Sequence, residues 1–274
     1  MTTTNNTKKQ AKPVKPVVKP FLRGTPTDER TGKGALAYLG ILVIASIMSF
    51  LVCSMLALDN VYLRVILNLM VVTLVMIILY NNAVNSGTDA VARGEILYQK
   101  QERGISFAES ERRICFHPLK GYLTALLGSI PLLICAVLLA AVAHKQSTGF
   151  GSLPGWMSSY AGRSEVGNAL VAYTQTTPMG MEDILRIIVR ILIMPFVSMV
   201  GAENRDGMLL LERLSPLILL LPAAAYGTGY LQGTRERMKI HTGIAQSNRK
   251  RANRERKARK ARMTQKPKTP EQLN

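Results

Sequence analysis

The sequence holds few residues of the kinds that bind metals or form disulfides. There are three cysteines and three histidines, namely Cys53, Cys115, Cys135, His117, His144 and His241. No two of them have the spacing of a zinc site or a redox pair, and an odd number of cysteines does not make a complete disulfide framework. The sequence therefore predicts no metal site and no bound cofactor.

The motifs of phosphate binding and hydrolysis are also missing. Gly24, Gly32 and Lys33 lack the spacing of a phosphate-binding loop, and Gly34 stands where serine or threonine is needed. We find no Gly-x-Ser-x-Gly and no His-Glu-x-x-His sequence. We therefore expect no catalytic residues and a protein that is not an enzyme.

Four polar residues interrupt apolar runs: Arg64 and Asn68 in one run, and Arg186 and Arg190 in another. Charged side chains at membrane depth mark either a path for a solute or a contact between helices. Arg64 is close enough to the end of its run to extend its guanidinium to the interface. Asn68 is more typical of a hydrogen bond between helices. If the protein takes part in transport, these four residues are predicted to line the polar path of the solute.

The elements that must position these residues follow from composition and charge. The chain of 274 residues is 47% hydrophobic and only 19% charged, with a net charge of +18. Residues 1–33 carry eight basic and two acidic groups, and residues 234–274 carry fourteen basic and three acidic groups. The middle is almost neutral, with thirteen basic and twelve acidic groups. This division excludes an ordinary soluble enzyme and indicates an integral membrane protein with basic tails.

Long apolar runs predict an all-α, multi-pass membrane protein. A helix needs about 20 apolar residues to cross the hydrocarbon layer. Four runs qualify as spans, at residues 35–58, 61–80, 121–143 and 214–230. A fifth run, 184–202, contains the two arginines. The first run should remain in the protein as a signal anchor, because its charged leader is too long for a cleaved signal peptide.

Lys and Arg in the loops predict the orientation. Six lie in loop 81–120 and two in loop 144–183. The excess of basic residues marks the cytoplasmic side, so both tails and loop 81–120 should be cytoplasmic and loop 144–183 should face outside. Both ends inside requires an even number of crossings.

The run 184–202 is therefore predicted to be an amphipathic or re-entrant segment at the outer interface. Glu182, Asp183, Arg186 and Arg190 fall within an arc of about 100° on a helix. The alternative is a protein of five spans, in which the arginines face the bundle.

Three parts are predicted: a basic, proline-containing tail (1–33), a transmembrane domain (34–233) and a second basic tail (234–274). Within loop 81–120 we expect two short helices with a break at Gly104. Small residues spaced by four allow close helix packing on two faces. The predicted packing residues are Gly121, Ala125, Ser129, Ala225, Gly229 and Gly233.

The C-terminal tail is the predicted contact for an anionic partner. It lacks aromatic residues, which disfavours stacking on single-stranded nucleic acid, whereas attraction to anionic lipid needs no motif. RNA or the ribosome is the alternative, through phosphate attraction. The contact residues are Arg249, Lys250, Arg251, Arg254, Arg256, Lys257, Arg259, Lys260 and Arg262.

Taken together, these features predict an integral interaction or scaffold protein of the cell membrane. Its expected partners are membrane lipids, and another membrane subunit or a second copy of the chain. The alternative is a transport-related membrane subunit, which would place Arg186 and Arg190 beside a central polar cavity.

Overall fold

The structure is a computed structural model that describes residues 17–55, 60–144, 163, 180–201 and 204–264. The described part of the chain contains seven helices and no strand. In chain order they are α1 (Glu29–Met55), α2 (Val61–Glu102), α3 (Glu109–Arg113), α4 (Lys120–Val142), α5 (Met181–Leu192), α6 (Met194–Val200) and α7 (Arg205–Thr264). The predicted all-α class is confirmed.

Four of these helices, α1, α2, α4 and α7, are long and apolar enough to cross a membrane. They correspond to the four predicted spans, which makes the chain a multi-pass membrane protein. Two of them extend well past the predicted boundaries, since α2 has 42 residues and α7 has 60. Residues 88–101, which we expected to form a separate short helix, continue α2 instead. The chain turns at Gly104, whose φ of 70° suits glycine.

The four long helices form one bundle. Helix α7 packs against α2 on one side and α4 on the other, and α1 packs mainly against α4. Helices α1 and α2 are neighbours in sequence but make few contacts with each other. We call the end of the bundle that holds Asp28, Lys120 and Tyr230 the tail end, and the opposite end, with Met55 and Ala143, the far end.

The outer surface of the bundle is apolar along the spans. Large hydrophobic side chains stay exposed on every long helix, including Ile44, Leu51, Leu69, Leu74, Leu126, Ile130, Leu217 and Leu221. A soluble protein does not expose a continuous belt of this kind, whereas hydrocarbon solvates it well.

Small residues bring the helices together, because lipid chains are as apolar as leucine and give no hydrophobic drive for association. A Cβ atom on Gly229 would lie 2.5 Å from the carbonyl oxygen of Tyr80, so α7 and α2 touch at their backbones. A Cβ on Gly128 would lie 2.5 Å from the carbonyl oxygen of Ala35, which brings α4 onto α1. Between these contacts the rings of Tyr38 and Tyr226 meet edge to face, with centroids 5.0 Å apart.

Helices α5 and α6 form a hairpin, residues 181–200, that enters the bundle from the far end. One side of it lies beside the end of α4, because Arg186 Nη2 donates to the carbonyl oxygen of His144 at 3.3 Å. The other side lies beside the start of α2, where Asn68 Nδ2 donates to Ser198 Oγ at 3.0 Å. Both sides are therefore at the far end.

The tip of the hairpin lies deep in the bundle. Ile193 is 1% exposed, and Pro195 prevents α5 from continuing as one straight helix. Side chains from the middle of the long helices surround this tip, among them Ser46, Val75 and Leu219. With 12 and 7 residues, α5 and α6 are too short to cross about 30 Å of hydrocarbon separately. Its two ends lie at the far end of the bundle and its tip lies deeper, which is the arrangement of a re-entrant segment.

This geometry leads to the first prediction. In a chain freed of its own cysteines, Met181→Cys and Asn204→Cys should both react with a membrane-impermeant thiol reagent from the same side. Ser247→Cys should react only from the opposite side, because α7 crosses between Asn204 and Ser247. The measurement is labelling of sealed vesicles of both orientations. If Met181→Cys and Asn204→Cys are labelled from opposite sides, the segment spans the membrane and the five-span alternative replaces the hairpin.

Candidate functional site

A cluster of ionised side chains holds the hairpin at the far end. Its centre is the carboxylate of Glu212 on α7, which is 2% exposed. Arg186 Nε donates to Glu212 Oε1 at 2.9 Å, and Arg190 Nε donates to the same oxygen at 3.0 Å. Arg186 and Arg190 lie four residues apart on α5, so one face of that helix brings both guanidinium groups to one carboxylate.

The remaining donors of Arg186 are also occupied. Its Nη2 lies 2.6 Å from Glu182 Oε1, one helical turn earlier, and Nη1 lies 3.6 Å from Asp183 Oδ1. His144 Nδ1 approaches the same Glu182 oxygen at 3.1 Å. We call Arg186, Arg190, Glu212 and Glu182 the far-end cluster. Because Arg186 is 1% exposed, these partners replace the water that its charge would otherwise require.

The two other predicted path residues lie at the start of α2. Asn68 is fully buried and donates to Ser198 of α6 and to the carbonyl oxygen of Arg64. The guanidinium of Arg64 lies beside Gly201, where a Cβ would approach Arg64 Nη2 to 3.0 Å. Gly201 also has a φ of 82°, so it is the residue that allows both the turn and this approach.

The four predicted path residues thus make two separate helix contacts. Arg186 and Arg190 contact α7, whereas Asn68 contacts α6 and Arg64 contacts Gly201 directly after it. The cavity at the hairpin tip holds about 50 Å³, and its wall is apolar apart from Ser46 and Ser49. None of the four lines this cavity.

Sequence reasoning missed Glu212, the residue that organises the far end. We began the last span at Leu214, but α7 begins at Arg205 and carries Glu212 two turns inside the helix. A signal was present, because Glu212 follows the apolar stretch Met208 to Leu211. An acidic residue in such a stretch needs a partner, and the two arginines of α5 were among the candidates.

A second buried carboxylate lies at the tail end, outside the spans. Glu95, on the extension of α2, is 5% exposed. Arg237 donates to Glu95 Oε2 from both Nε and Nη2, at 3.0 and 2.9 Å. His241 Nε2 lies 2.7 Å from Glu95 Oε1. The contact fixes the first part of the predicted C-terminal tail on α2, so that residues 234–242 pack on the bundle.

The N-terminal segment, residues 17–24, crosses the same region. Leu22 donates its backbone N–H to the carbonyl oxygen of Gly94 at 3.1 Å, and Gly24 donates to that of Phe116 at 3.0 Å. Val17 N–H donates to Thr242 Oγ1 at 3.2 Å. The last part of the predicted N-terminal tail therefore joins α2, α7 and the loop before α4. Residues 1–16 lie outside the described part of the chain.

An ion pair also closes the tail end between α1 and α4. Lys120 Nζ donates to Asp28 Oδ2 at 2.6 Å, and Thr31 Oγ1 donates to Asp28 Oδ1 at 2.6 Å. Burial raises the pKa of Asp28, but the hydrogen bonds from Lys120 and Thr31 and the charge of Lys120 outweigh it. The net result is a pKa below 3.8.

The predicted packing residues face other helices of the same chain. Gly121 meets the side chain of Tyr230, and Ala125 and Ser129, on the same face of α4, are buried. Gly229 and Gly233 meet the backbone of α2, while Ala225 is half-buried. The sequence left open whether these faces pack within the chain, against a second copy or against another subunit. In the structure their close contacts are with other helices of the same chain.

The predicted contact residues for an anionic partner lie on the C-terminal part of α7. We call residues 246–262 the arm, because each of them is exposed and helical. All nine predicted basic residues are in the arm. At 100° per residue they surround the helix instead of forming one stripe, and Glu255 is the acidic residue among them. Residues 265–274, the end of the predicted tail, are outside the described residues.

No site for a metal or a reactive thiol is built within the described ranges. They contain no group of three or more His, Cys, Asp or Glu side chains placed to hold a metal ion. Cys53, Cys115 and Cys135 are free. Burial raises the pKa of the Cys115 thiol, which disfavours the reactive thiolate. Most of the predicted outer loop 144–183 lies outside the described ranges.

Comparison with protein-family models, with characterised proteins and with solved structures finds no match to this chain.

The far-end cluster gives the second prediction. Glu212→Gln leaves two buried guanidinium groups without their shared counter-charge, which should lower the free energy of unfolding by about 3–5 kcal/mol. Glu236→Gln is the matched control, because its pair with Lys239 lies on the surface and should contribute less than about 1 kcal/mol. Thermal unfolding in detergent, followed by circular dichroism, measures both. Equal unfolding temperatures for the two variants would show that the cluster does not hold the hairpin.

The ion pair at the tail end gives the third prediction. Because the pKa of Asp28 lies below 3.8 in the folded protein, the charged form stabilises the fold fully above pH 3.8. This stabilisation is lost as the pH falls below 3.8 towards the folded-state pKa. The difference in unfolding temperature between the natural protein and Asp28→Asn should therefore shrink in acid. Glu29→Gln is the control, because Glu29 is an exposed neighbour. If the difference in unfolding temperature for Asp28→Asn does not change with pH, the lowered pKa of Asp28 is contradicted.

Proposed function

We propose that this protein is a membrane-embedded interaction protein, without enzymatic activity, that presents its arm to an anionic lipid surface. The observation that carries the proposal is the continuity of α7. One helix of 60 residues begins at the far end, crosses the bundle and extends into the arm. At about 1.5 Å per residue it is roughly 90 Å long, so the arm is held at a defined position relative to the bundle.

The base of the arm is fixed on two sides. Glu95 holds Arg237 and His241, and Thr242 accepts a hydrogen bond from the N-terminal segment. A fixed base limits the directions in which the arm can point. Docking to a surface then costs less conformational entropy than it would for a free tail.

The charge pattern of the arm favours electrostatic attraction over insertion into the interface. A helix that lies within the head groups needs an apolar face, and basic residues surround the arm on all sides. Attraction to an anionic leaflet is worth about 1 kcal/mol for each basic residue near the surface. The excess of basic residues at both tails and in loop 81–120 supports a cytoplasmic tail end in the cell membrane.

The transport alternative has less support. Its predicted path residues are engaged in helix contacts, and the cavity near the hairpin tip is small and largely apolar. A solute path would need polar groups along a wetted cavity.

The test uses the full-length protein in nanodiscs of zwitterionic lipid, mixed with separate vesicles that contain increasing phosphatidylglycerol. The natural protein should bind these vesicles, and binding should fall as salt rises from 0.1 to 1 M, where the Debye length shrinks from about 10 to about 3 Å. The triple variant Arg249→Gln, Lys250→Gln, Arg251→Gln should bind up to about 100-fold more weakly. The triple variant Lys8→Gln, Lys9→Gln, Lys12→Gln loses the same charge elsewhere and should bind more tightly than the arm variant.

Two outcomes would overturn the proposal. Vesicle binding that changes with neither salt nor anionic lipid content would show that the contact is not electrostatic. Stronger capture of RNA than of anionic vesicles at equal salt would make RNA, and not lipid, the partner of the arm.

A further inference from the structure

A cavity at the tail end lies between the first turns of α1 and the extension of α2. Its volume is about 530 Å³, and α4 and α7 close its inner side with Lys120, Thr124, Tyr226 and Tyr230. It is separate from the arm, which contributes no residue to it. Ser86 and Thr31 add hydroxyl groups to the wall.

The charges around this cavity are unbalanced. Lys120 is neutralised by Asp28 at 2.6 Å. Arg30, Lys33 and Arg93 are exposed at the rim, and none of them has an ion-pair partner among the described residues. Asp89 is the remaining carboxylate of the wall. Three cations against one anion leave an excess of positive charge around a polar cavity.

The excess of positive charge suits an anionic ligand, and the position of the rim indicates where that ligand would come from. Arg30 and Lys33 directly precede the charge-free apolar run of α1, which places them at the level of the lipid head groups. Helices α1 and α2 make few contacts with each other, so the cavity opens between them towards the bilayer. Deeper along the same two helices, exposed apolar side chains such as Ile44 on α1 and Ile77 on α2 form a surface that acyl chains can cover.

We infer that this cavity binds the phosphate-bearing head group of one anionic phospholipid. Arg30, Lys33 and Arg93 hold the phosphate from three sides, since guanidinium and ammonium groups form charge-assisted hydrogen bonds with phosphate oxygens. Ser86 and Thr124 line the part of the cavity that would hold the rest of the head group. The acyl chains lie along the exposed apolar surface of α1 and α2, which a free phosphate would leave uncovered.

The experiment is lipid retention by the full-length protein, purified in detergent and measured by native mass spectrometry. Phosphatidylglycerol is titrated in, and phosphatidylcholine is the neutral lipid control. The natural protein should retain one phosphatidylglycerol in preference to phosphatidylcholine. Retention should weaken by about fivefold for each basic residue removed in Arg30→Gln, Lys33→Gln and Arg93→Gln, and most in the triple variant.

The arm variant Arg249→Gln, Lys250→Gln, Arg251→Gln is the matched control, because it loses the same charge and leaves the cavity intact. It should retain the lipid like the natural protein even though it binds vesicles weakly, so the cavity and the arm can fail independently. Circular dichroism checks that the triple cavity variant is folded, and the single variant Arg93→Gln tests the site if it is not.

Two results would overturn the inference. Equal retention of phosphatidylglycerol by the natural protein and the folded cavity variants would show that the rim does not bind the head group. Competition by inorganic phosphate as strong as by the lipid itself would show an anion site with no contribution from the acyl chains.

Discussion

The shared carboxylate of Glu212 is the contact on which the far half of the bundle depends. A broken helix with two arginines is costly within the hydrocarbon layer, because its charges and free backbone groups need partners. Glu212 supplies a counter-charge to both Arg186 and Arg190, and Glu182 completes the coordination of Arg186. With these charges compensated, the apolar side chains of the hairpin pack between α4 and α7 around Val189 and Ile193. The hairpin is therefore part of the bundle core.

The tail half of the bundle uses the same principle outside the hydrocarbon. Glu95 and Asp28 are both nearly inaccessible carboxylates, and each is paired with a basic residue distant in sequence. These two pairs join α2 to α7 and α1 to α4, where small residues already bring the backbones close. The stacked rings of Phe116 and Tyr230, 5.3 Å apart, connect the loop before α4 to α7. The result is an ordered base from which the arm extends.

Positive charge at the tail end is thus organised in two different ways. In the arm, nine basic residues surround an exposed helix and suit a diffuse anionic surface. In the cavity between α1 and α2, three basic residues line a volume of about 530 Å³, and we infer that they bind one phosphate group. The two proposals are independent, because no residue of the arm lines the cavity.

The sequence by itself determined the four apolar helices, because crossing the membrane requires about 20 apolar residues and leaves a strong local pattern. It also predicted the break at Gly104 and the two alternatives for residues 184–202. It did not determine which way Arg186 and Arg190 face. An arc of polar residues looks the same whether it meets head groups or a buried carboxylate on another helix, and only the tertiary structure brings Glu212 to it. The lengths of α2 and α7 could not be predicted for a related reason. Polar helices beyond the membrane are stabilised by tertiary contacts, such as the pair of Glu95 with Arg237. These two residues are 142 positions apart, so no local pattern reveals the contact.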